Sequence, residues 1–415
     1  MFKPFSLLIA IVGLYLLFPV LGFGIFPEHF DFSDSLENFA ILGAYIFIML
    51  LSALAAKQVE SIGHTYQSGA SRNRMLEKWS SRSVESRALI FVAILSGISL
   101  TGMLIVITIS GMFSPEFSPH ELRMNIASSG NLVLTIIYNL TSLLILVTTN
   151  LTLLSIKKAN KKTYFMCVLL INFLLIIATG QRSMIMLAIC SYLLLQEFSN
   201  KRRLGIRALL TLLFGLAFVI FLGVVRQGDE FSYASVIWQA SVRFDLFFPQ
   251  FFNFLDVYRG LRDIGYGYFH FTFPLQIIPS SVFHSKPETF LHFINRDLMN
   301  IPEGTGNDFT AFAEFIYNYG IVLGLFFFSI FCFFMSFIIH RMYRLARNNP
   351  IYFALYFPIF LVYLSLVLLT GISNQAHIFA VAGLLLAVVP CKLFVSYTKF
   401  NKGNPAKLPP TVCKL

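Results

Sequence analysis

The amino-acid sequence predicts an all-α polytopic membrane protein, and two observations lead to this fold class. First, 57% of the 415 residues are hydrophobic and only 12% are charged, whereas soluble globular chains are about 45–50% apolar and about a quarter charged. Second, the apolar residues form blocks of roughly 20 residues, the length that crosses the hydrocarbon core of a bilayer. This composition excludes an ordinary soluble enzyme, a disordered chain, a coiled coil and a collagen.

Ten such blocks predict ten transmembrane helices. The first block follows Lys3, but it is too long for the apolar part of a signal peptide and no A-x-A-like cleavage site follows it, so we expect a retained span. The predicted spans cover approximately residues 5–26, 39–56, 88–112, 131–156, 163–179, 183–198, 204–225, 319–340, 351–369 and 376–394.

The basic residues predict how the chain lies in the membrane. One alternate set of the segments between spans holds 23 of the 31 lysines and arginines, so the positive-inside rule predicts that both termini are cytoplasmic. The net charge of +11 then reflects topology and does not indicate a nucleic-acid partner. The predicted parts are spans one to seven (1–225), a large outer loop (226–318), spans eight to ten (319–396) and a basic cytoplasmic tail (397–415).

Arg182 is the first candidate for binding an anionic substrate. It lies at the tip Gly-Gln-Arg-Ser between two short spans, which are expected to draw the tip into the headgroup layer. Ser183 is expected to cap the next helix, whose free N–H groups favour an anion. The alternative is an arginine that only touches ordinary lipid phosphates.

Two further arginines follow on the predicted outer side. Arg226 ends span seven, and it either joins Arg182 in one site or simply marks the end of the span. Arg243 lies in an aromatic stretch, residues 231–261, that predicts an interfacial or half-buried helix. It either binds the same anion or pairs with a nearby carboxylate such as that of Asp245.

The outer loop of about ninety residues is too aromatic to be disordered, and loops of this length are usually functional. The stretch between Pro279 and Pro287 has no helical period and is expected to present His284 and Lys286 as a base and a cation. His270 and His292 are weaker candidates because both lie among aromatic residues that are expected to pack around them.

The end of the loop carries a polar stripe. At steps of three, four and three residues, Asn307, Thr310, Glu314 and Tyr317 fall on one helix face. A polar face directly above a span indicates an aqueous cavity rather than lipid contact. Glu314 is predicted to be a general base or the anchor of an outer arginine, and a purely structural ion pair is the alternative.

The sequence contains no P-loop, no dinucleotide fingerprint, no His-Glu-x-x-His and no nucleophile elbow. Accordingly, no metal and no cofactor are predicted.

Three stretches, TGQRSM, FHSKP and GTGNDFTAFAEFIYNYGIVLG, together with ten spans and one dominant late outer loop, make the chain resemble the O-antigen polymerase (Wzy) family. The resemblance extends from about span five to span eight. It implies a GT-C-like glycosyltransferase of the bacterial inner membrane with its active site facing the periplasm.

The resemblance also implies the substrate and the roles of the candidates. Such enzymes join undecaprenyl-pyrophosphate-linked oligosaccharide repeat units and need no metal. Their expected partners are membrane lipids and a protein that regulates chain length. Family arginines correspond here to Arg182, Arg226 and Arg243, with Lys286 as a further pyrophosphate contact. Asn307, Thr310 and Tyr317 are the expected sugar contacts. The late-loop histidine of the related ligases corresponds to His284.

The expected reaction is an inverting displacement in which arginines stabilise the departing pyrophosphate and Glu314 or His284 takes the acceptor proton. Three alternatives stay open: an O-antigen ligase, another lipid-phosphosugar glycosyltransferase, and a lipid-linked sugar flippase or transporter. The second is indicated by acidic residues in the first outer loop, namely Glu28, Asp31, Asp34 and Glu37.

Overall fold

The computed structural model describes residues 3–13, 36–62, 82–110, 126, 132–156, 161–179, 182–199, 206–227, 247–261, 264–272, 275, 287, 290–294, 296, 311–347, 349–364, 366 and 375–399. Of these residues 95% are helical, and none of them forms a β-strand. The helices are α1 (Pro4–Gly13), α2 (Leu36–Ile62), α3 (Arg82–Ile109), α4 (Leu132–Ile156), α5 (Lys162–Ala178), α6 (Arg182–Ser199), α7 (Ile206–Gln227), α8 (Phe247–Gly260), α9 (Tyr268–Thr272), α10 (Phe290–Phe293), α11 (Ala311–Ala346), α12 (Pro350–Leu364) and α13 (Gln375–Lys399).

Four of the described helices, α2, α3, α4 and α11, are long and apolar enough to cross a membrane. Six further apolar helices are shorter, and they come from α1, α5, α6, α7, α12 and α13. Each of these ten lies on one of the apolar blocks, so the described residues confirm the prediction of an all-helical chain with candidate membrane spans. The number of crossings stays a prediction.

The helices α2 and α11 lie side by side and run in the same direction. Near their beginnings the Tyr45 hydroxyl donates to the carbonyl of Ile321 at 3.3 Å, and near their ends Arg344 forms an ion pair with Glu60. These contacts define two ends of the bundle, which we call the Glu37 end and the Glu60 end after the first and last acidic residues of α2. The positive-inside rule predicts that the Glu37 end is the outer one.

The Glu60 end is held by contacts between charged and aromatic side chains. The Tyr343 hydroxyl donates to the Glu197 carboxylate at 3.4 Å, and the Arg347 guanidinium lies 5.9 Å from the centre of the Phe198 ring. These pairs join the last turns of α6 and α11, so the beginning of α6 lies toward the Glu37 end.

The helix α8 comes from the large outer loop and is packed into the Glu37 end. Its Phe251, Phe252 and Phe254 side chains are at most 2% exposed, and Phe252 meets Phe39 of α2 at 4.8 Å between ring centres. Since these rings are covered by protein, this part of the stretch predicted as interfacial or half-buried is more deeply buried than expected. Burying three phenylalanines contributes several kcal/mol to holding the loop on the bundle, at about 2–3 kcal/mol each.

The long helix α11 is broken at Gly320, which has φ 79° and ψ 171°. Residues 311–319 form a mostly buried first part, and residues 321–346 form the apolar second part. The sequence predicts that span eight begins at Tyr319. In the structure, the segment with Glu314 and the apolar span belong to one helix, with a sharp turn at Gly320 between them. Only glycine adopts this positive φ without steric cost.

Candidate functional site

The first part of α11 places a carboxylate in the protein interior next to an imidazole. The Glu314 side chain is 0% exposed, and its Oε1 atom lies 3.2 Å from Nε2 of His270, whose side chain is 13% exposed. The distance is that of an ion pair, although the ring N–H is not aligned for a hydrogen bond. A carboxylate removed from water needs a nearby positive charge or a proton, and His270 is able to supply either.

Tyr319 completes this group from the turn of α11. Its hydroxyl lies 3.0 Å from Nδ1 of His270, within hydrogen-bonding distance. The imidazole also packs edge-on against Phe315, with 4.7 Å between ring centres. Because both ring nitrogens face a polar group and the ring face is covered, the orientation of His270 is fixed.

Asn318 connects the loop segment that carries His270 to the helix that carries Glu314. Its side chain is fully buried. The amide nitrogen donates to the carbonyl of Glu314 at 2.8 Å, and the amide oxygen accepts from the backbone N–H of Phe269 at 3.2 Å. One side chain therefore ties both partners of the acid–base pair together, and a buried amide satisfied in this way is costly to remove.

The backbone before α9 also binds the carbonyls that end the first part of α11. The N–H of Gly265 donates to the Tyr317 carbonyl at 2.8 Å, and the N–H of Gly267 donates to the Asn318 carbonyl at 2.9 Å. A Cβ atom on Gly265 would lie 2.6 Å from the Tyr317 ring, so only glycine allows this approach. The carbonyls left free at a helix end thus receive donors from the loop.

Tyr317, predicted as a sugar contact, lies in an aromatic cluster. Its ring centre is 5.3 Å from that of Phe293, 5.7 Å from that of Phe290 and 5.8 Å from that of Phe269. The ring is half-buried, and it packs the loop against α11. A role in sugar binding stays a prediction.

The two arginines on spans lie at the same end of the bundle as this group. Arg182 is the first residue of α6 and Arg226 is the last but one of α7. Only six residues, 200–205, join α6 to α7, so the end of α7 returns to the level where α6 begins. Because α6 begins at Arg182, Ser183 lies inside its first turn, and the prediction that Ser183 caps this helix is wrong.

The end of α5, which precedes the Arg182 tip in the chain, is held by a hydrogen bond between helices. The Tyr138 hydroxyl of α4 donates to the carbonyl of Thr179, the residue after α5, and both residues are buried. This bond holds the end of α5 against α4. The side chains of Arg182 and Arg226 lie outside the described residues, as do Arg243, His284, Lys286, Asn307 and Thr310.

Of the four acidic residues predicted in the first outer loop, Glu37 lies among the described residues. Its carboxylate lies 3.3 Å from the guanidinium of Arg259 in α8, which also binds Asp256 at 2.9 Å and the Asn38 side chain at 2.6 Å. Glu37 therefore helps to hold α8 on α2. Among the described residues, no group of three or more histidines, cysteines or acids is placed to hold a metal ion.

The sequence predicts His270 as a weaker candidate than His284, because aromatic residues surround it in the chain. Phe315 and Tyr319 do pack on its ring, and Glu314 lies beside the same ring. Asn318 and Tyr319 are not among the site residues that the sequence predicts. The signal that identifies them is their position directly before Gly320, where a helix break exposes carbonyls and side chains to the preceding loop.

The fold is consistent with a helical membrane protein, and one end of its bundle holds a buried carboxylate, an imidazole and a phenol in contact. Comparisons with protein-family models, with curated proteins and with solved structures give no significant match to this chain.

Proposed function

We propose that this chain is an integral-membrane glycosyltransferase that polymerises lipid-linked oligosaccharide repeat units at the Glu37 end of the bundle. The donor is an undecaprenyl-pyrophosphate-linked glycan of the O-antigen type, and the acceptor is a hydroxyl of a second lipid-linked unit. The observation that carries the proposal is the buried Glu314–His270 pair, with 3.2 Å between Oε1 and Nε2.

Glycosyl transfer to a hydroxyl requires a group that removes its proton as the new bond forms. A carboxylate beside a neutral imidazole provides this, because the imidazole accepts the proton and the carboxylate stabilises the resulting positive charge. Both side chains are shielded from water, which strengthens their interaction. If the pair had only a structural role, an arginine in place of His270 would fulfil it equally well. Arginine, however, does not exchange its proton at physiological pH.

The leaving group is a pyrophosphate, and it gains negative charge as the anomeric bond breaks. Arginines aimed at this charge stabilise the transition state without a proton transfer. Arg182 and Arg226 support this part of the proposal, because their backbones lie at the same end of the bundle as Glu314. The free N–H groups at the beginning of α6 favour an anion at the same level.

The proposal is tested with the purified protein in liposomes that contain a lipid-linked repeat unit. We expect products that differ by one repeat unit, together with release of undecaprenyl pyrophosphate. Glu314→Gln should lower the rate of product formation about 10²-fold or more, whereas Glu60→Gln should keep it, because Glu60 lies at the other end of α2. A wild-type protein that forms no polymer from any offered repeat unit overturns the proposal.

The same liposomes separate the alternatives. Transfer of single units onto a lipid A-core acceptor, without polymer, identifies a ligase. Movement of the lipid-linked unit across the bilayer without new glycosidic bonds identifies a transporter. Activity lost in a chelator and restored by a divalent cation favours a metal-dependent lipid-phosphosugar transferase, for which Glu37 would have to leave Arg259.

A further inference from the structure

We infer that Tyr319 is the catalytic residue that meets the acceptor hydroxyl, and that it passes the proton inward to His270 and Glu314. This inference rests on the proposed function and names the exposed end of its acid–base group. It assigns three roles in sequence: the phenol takes the substrate proton, the imidazole takes the phenol proton, and the carboxylate stabilises the imidazolium.

The first argument is that neither nitrogen of His270 is open to substrate. Nε2 faces Glu314 at 3.2 Å, and Nδ1 faces the Tyr319 hydroxyl at 3.0 Å. In the tautomer that carries its proton on Nε2, Nδ1 is the acceptor for the phenol proton. A hydroxyl that loses its proton to His270 must therefore do so through Tyr319.

The second argument is the difference in burial within the group. Glu314 is 0% exposed, whereas His270 and Tyr319 are both half-buried. Because both ring nitrogens of His270 face a polar group, the phenol is the half-buried member that is left to meet a substrate. The carboxylate is the member farthest from water, where a charge interacts most strongly with its neighbour.

The third argument is the direction in which Tyr319 lies from the group. Its ring lies tilted at 4.6 Å between centres against Phe327, an exposed residue in the apolar second part of α11. Tyr319 therefore lies between the buried pair and an exposed apolar surface of α11, which we expect to face lipid. A substrate carried on a lipid approaches from this surface, with its sugar at the level of the helix break.

The chemical step balances without a further reactant. The acceptor oxygen forms a bond to the anomeric carbon, and the bond from that carbon to the pyrophosphate oxygen breaks with its electron pair on the leaving group. The acceptor proton moves to the Tyr319 oxygen as the phenol proton moves to Nδ1 of His270. The imidazolium beside Glu314 then returns its proton to solvent through the same phenol.

The test compares Tyr319→Phe with Tyr343→Phe in the liposome assay. Both tyrosines lie on α11, and the Tyr343 hydroxyl also binds a carboxylate, that of Glu197, at the opposite end of the bundle. We expect Tyr319→Phe to lower kcat about 10²- to 10⁴-fold with little change in KM, the usual range for losing a general acid–base group. Tyr343→Phe should retain kcat within about threefold, because its hydroxyl is far from the chemistry.

A double variant separates a relay from a structural hydrogen bond. If Tyr319 and Glu314 act as one unit, Tyr319→Phe/Glu314→Gln should be no slower than the slower single variant, since groups that act together are not additive. Multiplying effects overturn the relay. Melting temperatures of all variants in detergent exclude unfolding as the cause of lost activity.

The outcomes for the inference and for the proposed function differ. Full kcat in Tyr319→Phe together with an inactive Glu314→Gln overturns the relay and leaves the proposed function in place. A wild-type protein without transferase activity overturns the proposed function. A raised KM with normal kcat in Tyr319→Phe overturns the relay, because it makes Tyr319 a binding contact only.

Discussion

The two ends of the bundle each hold a carboxylate opposite a basic side chain, but the pairs differ in kind. At the Glu60 end, Glu60 meets Arg344, whose side chain is 27% exposed. At the Glu37 end, Glu314 is completely buried and meets His270. An arginine keeps its charge at every physiological pH, whereas a histidine gains and loses a proton near neutrality.

The difference between the Glu60–Arg344 pair and the Glu314–His270 pair indicates that the two pairs have different roles. A permanent ion pair between α2 and α11 fixes two helices and needs no further chemistry. A buried carboxylate–imidazole pair is an expensive way to fix a loop, since burying a charge has a large desolvation cost. Such a pair suits proton transfer, so the comparison supports the proposal that the Glu314–His270 pair takes part in catalysis.

The largest expected effect comes from removing the charge of each carboxylate in turn. Glu314→Gln keeps the volume but removes the group that stabilises a protonated His270, so we expect activity to fall about 10²-fold or more. Glu60→Gln should leave activity within about threefold of the wild type. Initial rates of polymer formation, normalised to folded protein, measure both.

Equal losses in these two variants would erase the distinction between the ends. Glu314→Asp sharpens the test, because it keeps the charge but shortens the side chain, and partial activity in it would locate the requirement in the position of the carboxylate.

The next largest effect is expected from Asn318, which joins the loop to α11. Asn318→Ala leaves the Phe269 N–H without the Asn318 amide oxygen and removes one donor from the Glu314 carbonyl, and a buried group that loses its partner costs about 1–3 kcal/mol. Asn349→Ala is the matched control, since the Asn349 side chain accepts the N–H of Ile351 at the start of α12, and losing such a cap costs about 1 kcal/mol. Melting temperatures in detergent should fall further for Asn318→Ala, and protease should cut the loop 264–272 faster.

A fall in Asn318→Ala no larger than in Asn349→Ala would mean that the loop is held mainly by its aromatic residues.

A somewhat smaller effect is expected where Gly324 of α11 lies against Tyr45 of α2. A Cβ atom on Gly324 would lie 2.6 Å from the Phe315 carbonyl oxygen and 2.7 Å from the Tyr45 hydroxyl. Gly324→Ala should therefore lower the free energy of unfolding by about 1–3 kcal/mol, the usual cost of overpacking. Gly43→Ala in α2, where nothing lies within 4 Å of the added atom, should be neutral in the same melting experiment.

The smallest effect is expected from the ion pairs themselves. Arg259→Ala removes contacts to Glu37, which is 66% exposed, and to Asp256, which is 41% exposed, so we expect a loss of about 1 kcal/mol or less. Arg344→Ala should cost more, since its partner Glu60 is only 13% exposed. Melting temperatures at low and high salt would show the order, and the reverse order would mean that Arg259 is the main attachment of α8.

The positions of the helices could be predicted from the sequence, because a bilayer requires long apolar blocks with internally satisfied backbones. The block predicted at 163–179 corresponds to α5 at Lys162–Ala178, and the block at 131–156 corresponds to α4 at Leu132–Ile156. Glu314 could also be predicted as a site residue from the sequence. A carboxylate next to a span is costly, and such residues are therefore usually functional.

The partner of Glu314 could not be predicted in this way. His270 lies in a separate loop segment, and it reaches Glu314 only because glycines at 265 and 267 dock on the end of the first part of α11. Sequence spacing records neighbours on one helix but not contacts between a loop and a helix break. The positive φ of Gly320 could not be predicted from the sequence either, since a glycine in an apolar run is compatible with a continuous helix.

The bond between Phe269 and Asn318 joins residues 49 positions apart, and this separation has a consequence for how the protein is made. At about 5–20 residues per second of synthesis, the loop emerges roughly 2–10 s before the helix break that it binds. During that interval the newborn segment has aromatic side chains and backbone donors without their final partners. Synthesis of the first part of α11 is thus the event that completes the candidate site, and a ribosome stalled before residue 311 should leave a chain that lacks the Glu314–His270 pair.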